Sequence, residues 1–233
     1  MLSILDEIQQ VGQGDDDTLR GVIRLTAPAP FGRKHVAPAI AEFSRQHPQV
    51  GFDLRLTDRM VDLYDDGFDL AIRLGEPTDS RLLSTPLALN RRMLVASPGY
   101  VAAHGTPHRP EDLSRHQALL PAGPDGTQNT WTMRQGRRER TVEINGALGS
   151  DSGEILHAWC LAGLGISLRE TWDIHDALRS GRLVPVLPDW TVPVTHISAV
   201  RARRDPVPRR LDTFIEFLAR RWRDAPWNTD AAR

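Results

Sequence analysis

Three short segments of this 233-residue chain carry residue types suited to holding a small anion. Pro28-Ala-Pro-Phe-Gly32, Thr57-Asp-Arg59 and Gly149-Ser-Asp-Ser-Gly153 each stand where a β-prone run gives way to a helix-prone one. A helix that starts after a strand offers unpaired backbone N–H groups and the positive end of its dipole, which suits a carboxylate. Thr57 and Asp58, and likewise Ser150, Asp151 and Ser152, also fit the ordinary role of N-caps, with Glu154 near the reach of a capping box. Asp58 and Asp151 repel an anion unless their carboxylates face away. Arg73, closing the run Asp69-Leu-Ala-Ile-Arg73, adds a guanidinium able to grip a carboxylate through two parallel hydrogen bonds. Its alternative is an internal ion pair with Asp58 or Asp62.

Other chemistries lack their residues. Gly149-Ser-Asp-Ser-Gly153 differs from the Gly-x-Ser-x-Gly nucleophile elbow because its central residue is Asp151. The eight histidines are dispersed, and His104 with His108 straddles Gly105 and Pro107 in a loop composition rather than on one helix face. Gly163 and Gly165 stand without the third glycine or the lysine of nucleotide-binding loops. The expectation is no catalytic site, no metal and no cofactor. Lys plus Arg total 29 against 30 for Asp plus Glu, so no net positive field exists to hold a nucleic acid along the whole surface. Cys160 is the one cysteine, which excludes an internal disulfide and fits a small core residue in a reducing cytoplasm. The acidic N-terminal segment is unlike a signal peptide, and no apolar stretch reaches the length of a membrane span.

The elements that must position these residues follow from the periodicity. Leu2, Leu5, Ile8 and Val11 suggest a short amphipathic helix that runs into a polar linker, Gly12 to Thr18. Then come strand Val22 to Ala27, a helix around His35 to His47, strand Val50 to Thr57, helix Arg59 to Asp66 and strand Phe68 to Leu74. That β-α-β-α-β series predicts a largely parallel sheet. Pro38 is tolerable only in a first turn. After the run Met93 to Ser97, Ser97 caps and Pro98 opens a helix that closes near Gly105, and Trp131 to Ile144 reads as a hairpin about Gln135-Gly136. A helix from about Ser152 to Ala162, a strand Leu164 to Leu168, a helix Thr171 to Arg179 and a strand Arg182 to Leu187 build a second α/β lobe. The run His196 to Ala202 and the helix bearing Leu211, Phe214, Ile215 and Leu218 should return to the first lobe. The fold class is therefore α/β, with two Rossmann-like lobes joined by two crossing segments.

Several runs together are recognisable. Ile23-Arg-Leu-Thr-Ala-Pro-Ala-Pro-Phe-Gly32, Val36-Ala-Pro-Ala-Ile-Ala-Glu-Phe43, Gly67-Phe-Asp-Leu-Ala-Ile-Arg73, Ala162-Gly-Leu-Gly-Ile166 and Gly181-Arg-Leu-Val-Pro-Val-Leu-Pro188 resemble the effector-binding domain of LysR-type transcriptional regulators. The resemblance runs from about Leu19 to Ala219. It implies a type 2 periplasmic-binding-protein-like fold that holds a small, carboxylate-like effector in an inter-lobe cleft. Lobe I is then 19–96 plus 198–223 and lobe II 97–197, with 1–18 the end of a linker helix and its linker, and 224–233 a tail.

The resemblance favours ligand contact for Thr57. Pro28 and Pro30 stand where relatives often carry hydroxyls, so that loop is left with the amides of Phe31 and Gly32. Arg169 replaces part of a Leu-Pro pair and is either a chain-specific ligand contact or a surface charge. The implied partners are the effector, a second copy in an antiparallel homodimer, and DNA only through an N-terminal winged helix-turn-helix that these residues do not contain. A secreted solute-binding protein of the same fold is the main alternative, and a small-molecule enzyme a weaker one.

Overall fold

The computed structural model describes residues 19–57, 61–75, 79–123, 126–127, 129–203 and 206–228. In chain order, β1 (Gly21–Ala27) leads into a short α1 (Ala29–Phe31), a π-turn (Gly32–Val36) and α2 (Ala37–Gln46). Strands β2 (Val50–Leu56), β3 (Leu70–Leu74), β4 (Leu82–Asn90) and β5 (Arg92–Ala96) follow, then α3 (Pro98–His104) and a 3-10 turn (Pro110–Arg115). Next are β6 (Gln117–Gly123), β7 (Gly126–Thr127), β8 (Thr130–Gln135), β9 (Arg138–Glu143) and β10 (Asn145–Ser150). The chain continues through α4 (Gly153–Leu161), β11 (Ser167–Glu170), α5 (Thr171–Arg179), β12 (Val184–Val186), β13 (Thr195–Ala202) and α6 (Arg209–Arg223).

The chain forms two units, the first from residues 1–89 and 195–225 and the second from 90–194 and 226–233. The first passage falls at Leu89–Asn90, ahead of the expected Ser97, because β5 pairs with β11 and β12 of the second unit. The first unit is built on a five-stranded sheet in the order β2-β1-β3-β13-β4. Strands β2, β1 and β3 run parallel and β13 returns antiparallel to β3. One face of this sheet is sealed by aromatic side chains from α1, α2 and α6: Phe43 meets Phe214 edge-on at 5.0 Å, and Phe31 meets Trp222 at 5.1 Å. Leu211, Phe214, Ile215 and Leu218 are buried along α6, as their spacing predicts. Each such side chain contributes about 1.5–3 kcal/mol by leaving water.

In the second unit, β11-β5-β12 forms one sheet and β10-β6-β7 another, linked by the bridge Ala118↔Ile166. The Gly163-Leu-Gly165 pair has a steric reason. Gly163 adopts φ +79°, just past the end of α4, and a Cβ on Gly165 would sit 2.6 Å from the carbonyl oxygen of Gln117 in β6. Trp131, Met133, Leu94 and Ile166 are buried in one cluster, and Val95, Leu156, Cys160 and Ile174 in another.

Two expected elements differ. The helix assigned from His35 begins at Ala29, because the π-turn widens the backbone ahead of Pro38: Ala37 N–H bonds to Gly32 O, five residues back, and Pro38 then opens α2. The turn thus accommodates a ring that a regular α-helix would reject. The helix expected over Arg59 to Asp66 is not formed from Val61 onward; Arg59 and Met60 lie outside the described residues. The Asp62 carboxylate accepts from the backbone N–H of Tyr64 at 2.8 Å, and that of Asp66 accepts from Asp62 N–H at 3.1 Å. These aspartates compete with the helical bonds. The expected helix over Leu2 to Val11 and its linker also lie outside the described residues.

Candidate functional site

In the first unit the strand register assembles a row. Thr57 N–H bonds to Ala27 O at 3.0 Å, which sets Thr57 beside Pro28 at the carboxyl ends of β2 and β1. Continuing the Thr26↔Ala71 pairing by two residues puts Arg73 level with Pro28, and Arg73 pairs in turn with Ser198 of β13. Thr57 and Pro28 therefore stand just past the ends of β2 and β1, and Arg73, two residues beyond the last β1–β3 pair, is in register with Ser198 near the same end of the sheet. The Arg73 Nη1 bonds to Ile72 O at 3.1 Å. The Asp62 carboxylate serves its own turn, accepting from the backbone N–H of Tyr64 at 2.8 Å and of Asp65 at 3.4 Å. Asp58 lies outside the described residues.

The Pro28 to Gly32 segment, expected as an open loop, is helical. Pro28 precedes α1, Pro30 occupies its first turn, and Phe31 is fully buried against Trp222. The Gly32 N–H, expected as a ligand donor, is already bonded to Pro28 O at 2.7 Å. A Cβ on Gly32 would lie 2.2 Å from the Leu56 side chain, so this glycine allows the helix to pack closely on β2.

In the second unit, β10 runs parallel to β6 and ends at Ser150, with α4 starting two residues beyond Asp151. The Ser150 hydroxyl accepts the N–H of Ser152 at 3.1 Å, and the Ser152 side chain makes no capping bond to α4. Asp151 is exposed. Arg169 is 4% exposed, which removes the surface-charge reading. Its Nη2 donates to Asp173 at 2.6 Å and its Nε to the same oxygen at 3.3 Å. His157 of α4 places Nδ1 2.7 Å from that oxygen. Burial opposes ionisation of Asp173, but the His157 hydrogen bond and the Arg169 charge outweigh it and hold its carboxyl below the usual carboxylate range.

Both Arg169 terminal nitrogens lie against Gly153 at the start of α4, where an added Cβ would be 3.2 and 3.4 Å from them. Sequence reasoning did not select Ser198, His157 or Asp173. The four-residue spacing of Arg169 and Asp173 was the available signal, since it joins the end of a strand to the first turn of a helix. Among the described residues no cluster of His, Cys, Asp and Glu is arranged to hold a metal.

The model of the LysR substrate binding domain matches residues 16–223. This chain belongs to the LysR family. The HTH-type transcriptional regulator DmlR of Escherichia coli is 36% identical over 218 residues, covering 94% of this chain and 68% of that protein. The HTH-type transcriptional activator TtdR of Escherichia coli is also 36% identical over 218 residues, covering 93% and 68%. The solved regulatory domain of CrgA, a LysR-type regulator from Neisseria meningitidis, matches with a TM-score of 0.77 and 30% identity, over 87% of this chain and 98% of that one. The fold is that of LysR regulatory domains, type 2 periplasmic-binding-protein-like, and the relatives are regulators rather than enzymes.

Proposed function

We propose that this LysR effector domain senses a small organic anion, with candidate contacts in the first unit at the ends of β1, β2 and β3, and separate candidate contacts in the second unit at the corner between β10 and α4. The observation that carries the reading is the row of Thr57, Pro28 and Arg73 at the carboxyl side of three parallel strands. Open α/β sheets receive ligands on that side. Arg73 supplies the charge there and Thr57 a hydroxyl. Ser150, Asp151 and Ser152 border the start of α4, with Arg169 behind them. The regulator reading is preferred to a solute-binding protein because the curated relatives are regulators.

The domain also pairs with a second copy, through the α2 region of one subunit and the α4 region of its partner. On α4, Ile155 is 43% exposed, an apolar side chain left on the surface of this unit. On α2, Ala37, Pro38 and Ala41 are exposed. The working compartment of such a regulator is the cytoplasm, where it meets DNA through other residues of the protein. Calorimetric titration with small organic acids tests the sensing role: saturable binding is expected in the parent, weakened by Thr57→Ala and Arg73→Ala. Unchanged isotherms in both variants would remove these residues from the site.

A further inference from the structure

Gly21 N–H donates to Gln49 O at 3.2 Å, and Arg210 Nε donates to Val22 O at 3.2 Å, so the chain enters β1 held between the end of α2 and the start of α6. Beside that entry lies a groove of about 440 Å³ whose walls include Leu19, Gln46, His47, Gln49, Arg209 and Thr213. It belongs wholly to the first unit, and none of its lining side chains is acidic. It stands at the amino ends of β1 and β2, whereas Thr57 and Pro28 stand past their carboxyl ends.

At this groove the 15-residue helix α6 is poorly balanced in charge. Its N-cap is Pro208, which has no side-chain acceptor, and Arg209 and Arg210 open its first turn against the single acid Asp212. A helix N-terminus carries partial positive charge and favours acidic neighbours, so the two arginines add to that potential instead of offsetting it. Arg45, two residues before His47, closes α2 with a further cation. The chain immediately ahead of Leu19 reads Asp15-Asp-Asp-Thr18. Since a chain spans at most about 3.3–3.6 Å per residue, the Cα of Asp17 stays within about 7 Å of that of Leu19, and the Cα of Asp15 within about 14 Å. Three carboxylates are thus tethered at the mouth of a groove that has arginine and no acid, and the tether raises their effective concentration there.

We infer that the Asp15–Asp17 run of this chain docks in the groove, setting a carboxylate against Arg209 and over the first turn of α6 as the cap that Pro208 cannot supply. The chain ahead of β1 is thereby clamped to the first unit, and a rotation of that unit is carried into the residues that precede it. Exposed ion pairs are individually weak, but here three acids meet a helix end and an arginine without crossing more than a few residues of chain.

The test is amide NMR relaxation on the full chain at low ionic strength, beside melting curves of charge variants. In the parent, the amides of Asp15 to Asp17 should be nearly as ordered as that of Leu19, with order parameters nearer about 0.85 than 0.6, and Arg209→Glu should loosen them while the β1 amides stay unchanged. Combined Asp15→Asn, Asp16→Asn and Asp17→Asn should lower the melting temperature by about 2–4 °C, the shift expected from a helix-end charge in a chain of this size. The same three substitutions should cost nothing in an Arg209→Glu background, and added salt should shrink their effect in the parent. If Arg209→Glu does not fold, Arg209→Gln serves for both measurements. Order parameters below about 0.6 at Asp15 to Asp17 in the parent overturn the docking. Ordered aspartates that ignore the loss of Arg209, or an equal drop in melting temperature with and without it, overturn the groove as their site.

Discussion

The carboxylate of Asp173 lies 2.6 Å from Nη2 of Arg169, and both side chains are almost wholly withdrawn from solvent. The pair is four residues apart, joining the end of β11 to the first turn of α5. Replacing Asp173 by Asn leaves the guanidinium buried beside a neutral amide. Loss of one partner from such a pair costs about 3–5 kcal/mol. Chemical denaturation of Asp173→Asn against the parent measures it, and a loss close to zero would show the pair to be solvated.

The same carboxyl makes stability depend on acid. Its folded value lies below the unfolded one, so its contribution is fully present at neutral pH and disappears as pH falls through the folded value. The relevant window is below about pH 4, the ordinary range of an aspartate. Melting curves from neutral pH downward should show this part of the decline in the parent and not in Asp173→Asn.

Two hydroxyls should be dispensable for stability. Thr26 and Ser198 are fully buried on one face of the first sheet, and their hydroxyl oxygens find no partner among the described residues. An unpaired buried polar group costs roughly 1–3 kcal/mol, while a same-shape apolar replacement removes that cost. Thr26→Val and Ser198→Ala should therefore melt at or above the parent temperature. A clear destabilisation by either would reveal a hydrogen bond that the strand geometry hides.

Cys160 should be inert in the folded protein. It is fully buried at the inner face of α4, its thiol lies 3.5 Å from Val95 O, and burial pushes its pKa up to about 12. The thiolate is the reactive form, so a disulfide reagent should modify Cys160 only after denaturant exposes it. Rapid labelling without denaturant would contradict the packing.

Much of the fold was legible because local chemistry and global packing agree. Ser97 accepts from Tyr100 N–H at 3.2 Å to cap α3, Gly105 ends that helix with φ +81°, and α5 spans Thr171–Arg179 as its pattern predicts. Strands β4, β6 and β10 were not legible. Pro86 interrupts the first, and glycines dilute the apolar alternation of the other two, whose sequences end in Pro-Ala-Gly and Leu-Gly-Ser. The candidate site was legible in part for the same reason. Thr57 and Arg73 announce themselves at strand ends, whereas the meeting of Arg169, Asp173 and His157 depends on how α4 and α5 lie against β11.

These residues alone should not read an operator. The arginine-rich C-terminal helix buries its apolar stripe, Arg210 bonds to Val22 O, and Arg221 pairs with Glu42. What basic surface remains should bind DNA weakly, without sequence preference and with steep loss on adding salt. Anisotropy titration against promoter fragments at near-physiological salt checks this, and salt-resistant, selective binding would place DNA reading within the domain.

The central claim, that the domain senses a small organic anion, is tested most directly by thermal melting of the chain with small mono- and dicarboxylates beside their neutral amides. A ligand that binds only the folded form raises its stability by RT ln(1 + [L]/Kd). At least one carboxylate should raise the melting temperature saturably while its amide does not. Stabilisation by the neutral compounds alone, with every carboxylate silent, would contradict the account.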